Sequence, residues 1–208
     1  MQNRQIPEPT ISRISLYLRA LRNIIAVNPN KLTISSSEMA NIMGISSAQI
    51  RKDLSYFGGE MGKPGRGYLV VNLITHFESI LHLDRTKRAM IVGVGNLGSA
   101  LAGYSGFKSS DFMLTALFDD NPAKIGTTIH ELIVHSIDDI ATLNKELKIE
   151  VGILCVPATD ARDVARVMIN SGVKVILNFA PVQITSSDDV IIRNVDLTKE
   201  LQILSYYL

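Results

Sequence analysis

Two capped helical stretches joined by a glycine turn, a glycine-punctuated basic hairpin behind them, and apolar strand-like runs alternating with helical stretches from residue 89 onward predict an α/β chain. Its parts are an N-terminal winged-helix domain (1–84), a Rossmann-like doubly wound parallel sheet domain (89–195) and a C-terminal helix (196–208). With 208 residues, 46% of them apolar, the chain has ample material for two cores.

The elements follow in order. From Thr10, Ile11, Ile14, Leu18, Leu21 and Ile25 recur at spacings of three and four and define a helix that Asn28, Pro29 and Asn30 stop. In SSSEMANIMG, Ser35 and Glu38 have the capping-box spacing and Gly44 supplies the C-terminal stop. Ser46 and Gln49 repeat that spacing at once, and Ile50 and Leu54 set an inward stripe that leaves Gln49, Arg51, Lys52, Ser55 and Tyr56 pointing away. The two helices with their short glycine turn have the helix-turn-helix layout. GGEMGKPGRGYLVV then reads as a hairpin with Lys63 and Arg66 near its tip, and residues 72–83 as a closing helix. DRTKR (84–88) is a charged linker.

Beyond it, AMIVGVG, FMLTALFDD, VGILCVP, VKVILNFAP and VIIRNV are strand-like runs that specify a parallel sheet covered on both faces. The terminal stretch DLTKELQILSYYL is an amphipathic helix with Leu197, Leu201, Leu204 and Tyr207 or Leu208 on one side. So apolar a helix packs either on its own domain or against a partner subunit.

The loop Gly93, Val94, Gly95, Asn96, Leu97, Gly98 has the GxGxxG spacing between a strand and a helix. Its first glycine permits the tight turn, its second lets the backbone approach a pyrophosphate, and its third lets the helix pack closely on the sheet. Asp119 lies 21 residues past Gly98, the separation expected of a carboxylate that accepts from an adenosine ribose, and Asp120 is the alternative. An acid there repels a 2′-phosphate, so NAD(H) is preferred over NADP(H) as cofactor.

The net charge of +1 is unevenly distributed. Residues 1–88 hold 12 Lys/Arg against 6 Asp/Glu, and residues 89–208 hold 9 against 14, so only the first half invites a polyanion. In a winged helix, the second helix of the helix-turn-helix enters the major groove. Gln49 and Arg51 are candidates for base contacts, Lys52 and the hydroxyls of Ser46 and Ser47 for phosphates, and Lys63 and Arg66 for a wing in the minor groove, with Tyr56 on the same outward face. The bland alternative pairs Arg51 or Lys52 with Asp53 or Glu60 on a solvated helix face.

Other chemistries find little support. Cys155, inside VGILCVP, is expected to be a core thiol, and His76, His82, His130 and His135, without Cys or HExxH company, surface or satisfied histidines rather than metal ligands. No signal-peptide pattern and no run of 18 uncharged apolar residues occurs, so the chain is expected in the cytoplasm and not at a membrane.

RKDLSYFG, GxGY (Gly65–Tyr68), GVGNLGSALAGY, FDDNPAKIG, VPATDARDVA and NFAPV, in that order and over nearly the whole chain, resemble the redox-sensing transcriptional repressors called Rex. The resemblance implies a homodimer that binds palindromic operator DNA, represses genes of NADH-oxidising or fermentative metabolism, and lets go when NADH replaces NAD⁺. It implies that Val156, Pro157, Asn178, Phe179 and Ala180 join the glycine loop at the cofactor, that Tyr104 and Asp196 lie near the nicotinamide with Arg19 as an alternative partner for Asp196, and that the C-terminal helix is exchanged between subunits. On the residues alone, Arg19 is equally a solvated side chain and Asp196 equally a helix cap. At the wing the chain departs from the family, with Pro64 and Arg66 around the tip, and Arg162 stands where glutamine is common.

Two rival functions are an NAD-dependent dehydrogenase with an accessory domain and a winged helix answering to another nucleotide ligand. The first lacks room for a substrate site, and Tyr104 has no lysine four residues on to activate it, so no catalytic residue is assigned.

Overall fold

The computed structural model describes residues 6–57, 62–63, 67–107, 111–185, 187 and 189–208, and of 62–63 only the backbone. The chain divides into two compact units, Met1–Arg85 and Thr86–Leu208.

In the first unit, helix α1 (Glu8–Val27) starts behind Pro7, whose fixed φ suits a helix entry. Its buried face is Thr10, Ile14, Tyr17, Leu18 and Leu21. The expected stripe is rotated slightly: Ile11 is 39% exposed, and Tyr17 takes its place in the core against Phe77. Strand β1 (Thr33–Ile34), too short to leave a periodic signal, precedes α2 (Ser36–Met43). The capping box forms in full. The Ser35 hydroxyl accepts from the Glu38 N–H, the Ser35 N–H donates to the Glu38 carboxylate at 2.8 Å, and Gly44 closes the helix at φ 65°. Lys31, at 2.6 Å, and the groups of Ser35 hold the Glu38 carboxyl down at about 2.

Helix α3 (Ser47–Ser55) is capped by Ser46, whose hydroxyl accepts from the Gln49 N–H. The second box is only half made, because the Gln49 amide turns to Asp53 instead. Strands β2 (Gly62–Lys63) and β3 (Gly67–Leu69) join β1 in an antiparallel sheet of order β1-β3-β2, the hairpin of a winged helix. Helix α4 (Val70–Ile80) begins two residues before the expected start, directly from β3. Ile14, Tyr17, Leu21, Met39, Ile50, Leu73 and Phe77 form the core.

The second unit contains β4 (Lys87–Val92), α5 (Asn96–Ala102), β5 (Phe112–Asp119), β6 (Thr128–Ile129), β7 (Leu132–Ser136), α6 (Ile140–Leu147), β8 (Val151–Leu154), α7 (Ala161–Asn170), β9 (Val175–Asn178), β10 (Ile191–Asn194) and α8 (Leu197–Ser205). Strand β4 begins inside the charged segment assigned to the linker. The sheet order is β10-β9-β8-β4-β5-β7-β6, parallel except for the edge hairpin β6–β7. That hairpin was not expected from the sequence, because its half-polar residues lack a clear alternation. The chain winds from β4 through β5 to β7 and then returns to β8 on the other side of β4. This leaves a topological switch point between β4 and β8, where ligands of such sheets bind. Successive strand residues face opposite sides. Met90, Val92, Phe118, Leu154 and Ile176 pack with Ile140 and Met168 on one side, and Ile91, Leu117, Val134 and Ile153 with Leu101 on the other.

Candidate nucleotide site and candidate DNA-binding helix

The glycine loop sits at the switch point, and each glycine is there for a different reason. Gly93 has φ 91°, and a Cβ on it would come within 2.6 Å of the Cys155 carbonyl oxygen. A Cβ on Gly98 would lie 1.9 Å from the Gly93 carbonyl oxygen, so only glycine lets α5 approach the turn. Around Gly95 nothing lies within 4 Å of an added Cβ: this position has no packing reason to be glycine and opens onto free space. Gly95 is also the N-cap of α5, with no side chain to occupy the first-turn N–H groups.

A cavity of about 460 Å³ opens there, lined by Gly93, Gly95 and Leu97 from the loop, Asp119, Asp120, Asn121 and Lys124 beyond β5, and Cys155, Val156, Pro157 and Asp160 beyond β8, with Ile137, Val164 and Phe179 behind. The two acids differ sharply. Asp119 is only 4% exposed, and its carboxylate accepts from the N–H of Val94 at 2.8 Å, the N–H of Asn121 at 2.9 Å and the ammonium of Lys124 at 3.0 Å. Burial alone would raise its pKa, but the Asn121 N–H, Lys124 and the Val94 N–H outweigh it and hold the carboxyl below the ordinary range. Asp119 thus braces the loop while still lining the cavity, with three hydrogen bonds on a carboxylate that can accept about four. Asp120, exposed on the rim, is the more open of the two carboxylates that line the cavity.

Of the other residues expected at a cofactor, Leu97, Val156, Pro157 and Phe179 line the cavity. Val94 and Gly98 are buried beneath it, and Asn96 is exposed beside it. Asn178 and Ala180 are also buried and act indirectly. The Asn178 amide nitrogen donates to Val182 O and Asn194 Oδ1, and its Oδ1 accepts from the Ala180 N–H, which braces the turn that presents Phe179. Tyr104 is 59% exposed and stacks edge-on against Phe107. It lines a separate hollow with Phe112 and His130, not the glycine-loop cavity.

Asn121, Lys124 and Asp160 carry no sequence signal strong enough to single them out, and Cys155, expected in the core, packs partly buried against the Ile91, Leu117 and Ile153 cluster while also lining the cavity wall. Burial still pushes its thiol up to about 12. The position of Lys124 in FDDNPAKIG, five residues past Asp119, is a weak signal for its role. Among the described residues no group of three His, Cys, Asp or Glu is placed to hold a metal ion, and no helix is long and apolar enough to cross a membrane. His76 is not satisfied as expected: among the described residues its buried Nε2 has no hydrogen-bond partner, and burial lowers its pKa.

In the first unit, α3 turns Ile50 and Leu54 inward and exposes Arg51 and Lys52, as patterned. Ser46 is exposed at the cap, and Ser47 and Tyr56 are half-buried at the two ends. The Arg51 guanidinium donates to Ser36 Oγ at 3.1 Å. Pairing of Arg51 or Lys52 with Asp53 is replaced by another arrangement, because Asp53 is fully buried and accepts from Thr10 Oγ1, Arg13 Nε and Nη2, Tyr17 OH and Gln49 Nε2. Against burial, which raises it, Arg13 and then Tyr17, Gln49 and Thr10 hold the Asp53 carboxyl low. Gln49 therefore does not point away as expected. The Lys63 backbone pairs with Gly67, while Glu60, Pro64 and Arg66 lie outside the described residues.

Arg19 is exposed on α1 and lines, with Leu16, Ala20, Ile24, Val27 and Ile42, an apolar groove of about 650 Å³ along α1 and α2. Asp196 caps α8, its Oδ1 accepting from the Lys199 N–H at 3.1 Å. No residue of α8 is buried, and Leu201 is 66% exposed. Among the described residues of its own chain the helix finds no core to join.

Residues 5–55 match the family model described as "Putative DNA-binding protein N-terminus", and residues 84–182 the one described as "CoA binding domain". A protein of Carboxydothermus hydrogenoformans named "Redox-sensing transcriptional repressor Rex" is 45% identical over 206 residues, spanning 99% of this chain and 98% of that one. Its namesake from Desulfitobacterium hafniense is 42% identical over 206 residues, with 99% and 97% covered. Among solved structures, RSP in complex with β-NAD⁺ and operator DNA matches with a TM-score of 0.90 at 37% identity, over 97% of this chain and 92% of that one. RSP in complex with β-NADH matches with a TM-score of 0.84 at 36% identity, with 98% and 94% covered.

Proposed function

The chain belongs to the Rex family of redox-sensing transcriptional repressors, and from that premise we propose that its two units form one device in which NADH, bound at the glycine loop, releases operator DNA from α3. It is a regulator and not an enzyme. The observation that carries the reading is the full-length likeness to RSP, a protein solved with NAD⁺ and operator DNA together.

In this reading the pyrophosphate lies against Gly95 and the uncapped start of α5, where an added side chain would intrude on the ligand and on nothing else. Asp120 accepts from the adenosine ribose and repels a 2′-phosphate, while Asp119 holds the loop through the Val94 N–H. Leu97, Val156, Pro157 and Phe179 form the apolar walls. On α3, Arg51 reads base edges, and Lys52, Ser46 and Ser47 engage phosphates, with Tyr56, Lys63 and Arg66 as flanking contacts.

A second copy completes the device. An unburied helix α8 headed by Asp196 suits an apolar groove that carries Arg19, so the C-terminal helix is exchanged within a homodimer whose symmetry matches a palindromic operator. Tyr104, Asp196 and Arg19 form the switch. The oxidised nicotinamide is a cation and the reduced one is neutral, so a nearby carboxylate gains from the first and not from the second. NADH releases DNA only if it binds the DNA-incompetent arrangement more tightly. Such a protein acts in the cytoplasm on genes of NADH-oxidising or fermentative metabolism.

The test is anisotropy of the labelled operator duplex of the RSP complex, titrated with protein at fixed salt, because phosphate contacts make affinity steeply salt-dependent. NADH at micromolar concentration should release the duplex and equal NAD⁺ should not. Binding indifferent to both nucleotides would overturn the reading.

A further inference from the structure

We infer that Asp53 is the positioning residue of the recognition helix, its buried carboxylate setting the rotation at which α3 presents Arg51 and Lys52 to DNA. The inference rests on the DNA-binding reading of α3.

A carboxylate with no solvent exposure sits in the basic half of the chain, on the helix expected to meet a polyanion. A buried charge is costly unless it is paired and fully hydrogen-bonded. Asp53 meets that condition with donors from two helices. From α1 come Thr10 Oγ1 at 3.1 Å, the Arg13 fork at 2.6 and 2.7 Å and the Tyr17 hydroxyl at 2.7 Å, and from α3 itself the Gln49 amide at 3.0 Å. Thr10, Arg13 and Tyr17 are spaced by three and four, so a single face of α1 grips a single carboxylate.

The alternative anchor for α3 is apolar. Ile50 and Leu54 bury the helix, but burial is non-directional and tolerates a small rotation about the helix axis. A two-pronged guanidinium–carboxylate pair does not, because both prongs have fixed geometry. With 3.6 residues per turn, Arg51 and Lys52 flank the direction in which Asp53 points by a known angle. Fixing Asp53 therefore fixes them. The same arrangement assigns Arg13 and Gln49 to the support rather than to DNA, since their polar ends face Asp53, and leaves base reading to Arg51.

The experiment measures two affinities for each protein by anisotropy at fixed salt: for the operator duplex of the RSP complex and for a scrambled duplex of equal length. Tyr17→Phe removes one hydrogen bond and keeps the ring in the core. Asp53→Asn removes the charge. Tyr17→Phe should lower the operator-to-scrambled ratio about tenfold, the effect of one charge-assisted bond, and Asp53→Asn should lower it further. Scrambled-duplex and NADH affinities should stay at wild-type values in both. A merely structural role would lower thermal stability and leave the ratio intact in the folded protein, and that result overturns the proposal. If Asp53→Asn fails to fold, Tyr17→Phe decides alone. A wild-type ratio near one would instead remove the DNA-binding reading itself.

Discussion

Replacing the two adjacent acids of the glycine-loop cavity should separate a strut from a ligand. Asp119→Ala strands the N–H groups of Val94 and Asn121, which lose acceptors at 2.8 and 2.9 Å, and frees Lys124. Stranding the buried Val94 N–H costs about 1–3 kcal/mol, and the Asn121 N–H, on an exposed residue, costs less. The Lys124 pair, about a third exposed at its cationic end, adds no more than about 1 kcal/mol. Water entering from the open cavity recovers part of this, so a loss of about 3 kcal/mol is expected, or a drop in Tm on the order of 10 °C for a unit of this size. NADH and NAD⁺ should both weaken by the same factor, because the loop that holds their shared pyrophosphate loosens. Asp120→Ala, on an exposed side chain, should leave Tm unchanged, weaken NADH about tenfold through one lost ribose contact, and narrow the preference over NADPH. Calorimetric titration and a thermal melt of each variant suffice. A wild-type melt for Asp119→Ala together with wild-type NADH affinity for Asp120→Ala would refute the division of labour.

The glycines give a matched pair: Gly98→Ala drives a Cβ to 1.9 Å from a backbone oxygen and should destabilise the second unit, whereas Gly95→Ala meets nothing and should melt normally yet lose NADH, as a melt and a titration would show. Arg51→Ala should abolish preference for operator while NADH affinity is kept, and wild-type operator affinity in that variant would remove Arg51 from the recognition surface. Burial lowers the folded-state pKa of His76 beneath its unfolded value, so near pH 7.5 both states are neutral and stability is full. As pH falls below about 6.5 the unfolded chain takes up a proton that the folded chain refuses, and stability is lost. His76→Phe should flatten that part of the Tm–pH curve between pH 7.5 and 5. With its pKa pushed up to about 12, the Cys155 thiol should react slowly with an alkylating reagent at pH 8, and NADH should slow it further by filling the cavity it lines.

The sequence was most legible where a local pattern decides the outcome. Ser35, Glu38 and Gly44 form their cap and stop as spaced, and the glycine loop falls at the switch point because strand, turn and helix are contiguous in the chain. It was least legible where contacts come from far away. The grip on Asp53 spans 36 to 43 residues from α1, so RKD reads as a solvated helix face although its acid is fully buried. Asp119 stands where a ribose acceptor is expected, and only the fold reveals that it also braces the loop through Val94, Asn121 and Lys124. The capping-box spacing at Ser46 and Gln49 predicted a reciprocal bond that lost to a stronger one, a charged acceptor one turn away. Strand β1 and the β6–β7 hairpin escaped notice because two-residue strands and half-polar edges carry no usable period.

Coupling between the two sites is a free energy and must be reciprocal. The most direct test measures NADH affinity for the full-length protein alone and with saturating operator duplex, and operator affinity with and without NADH, in one buffer. The two ratios should be equal and on the order of tenfold or more, with NAD⁺ giving a much smaller ratio. An NADH affinity unchanged by operator DNA would mean that the glycine loop and α3 do not communicate, and the account of this chain as a redox switch would fail.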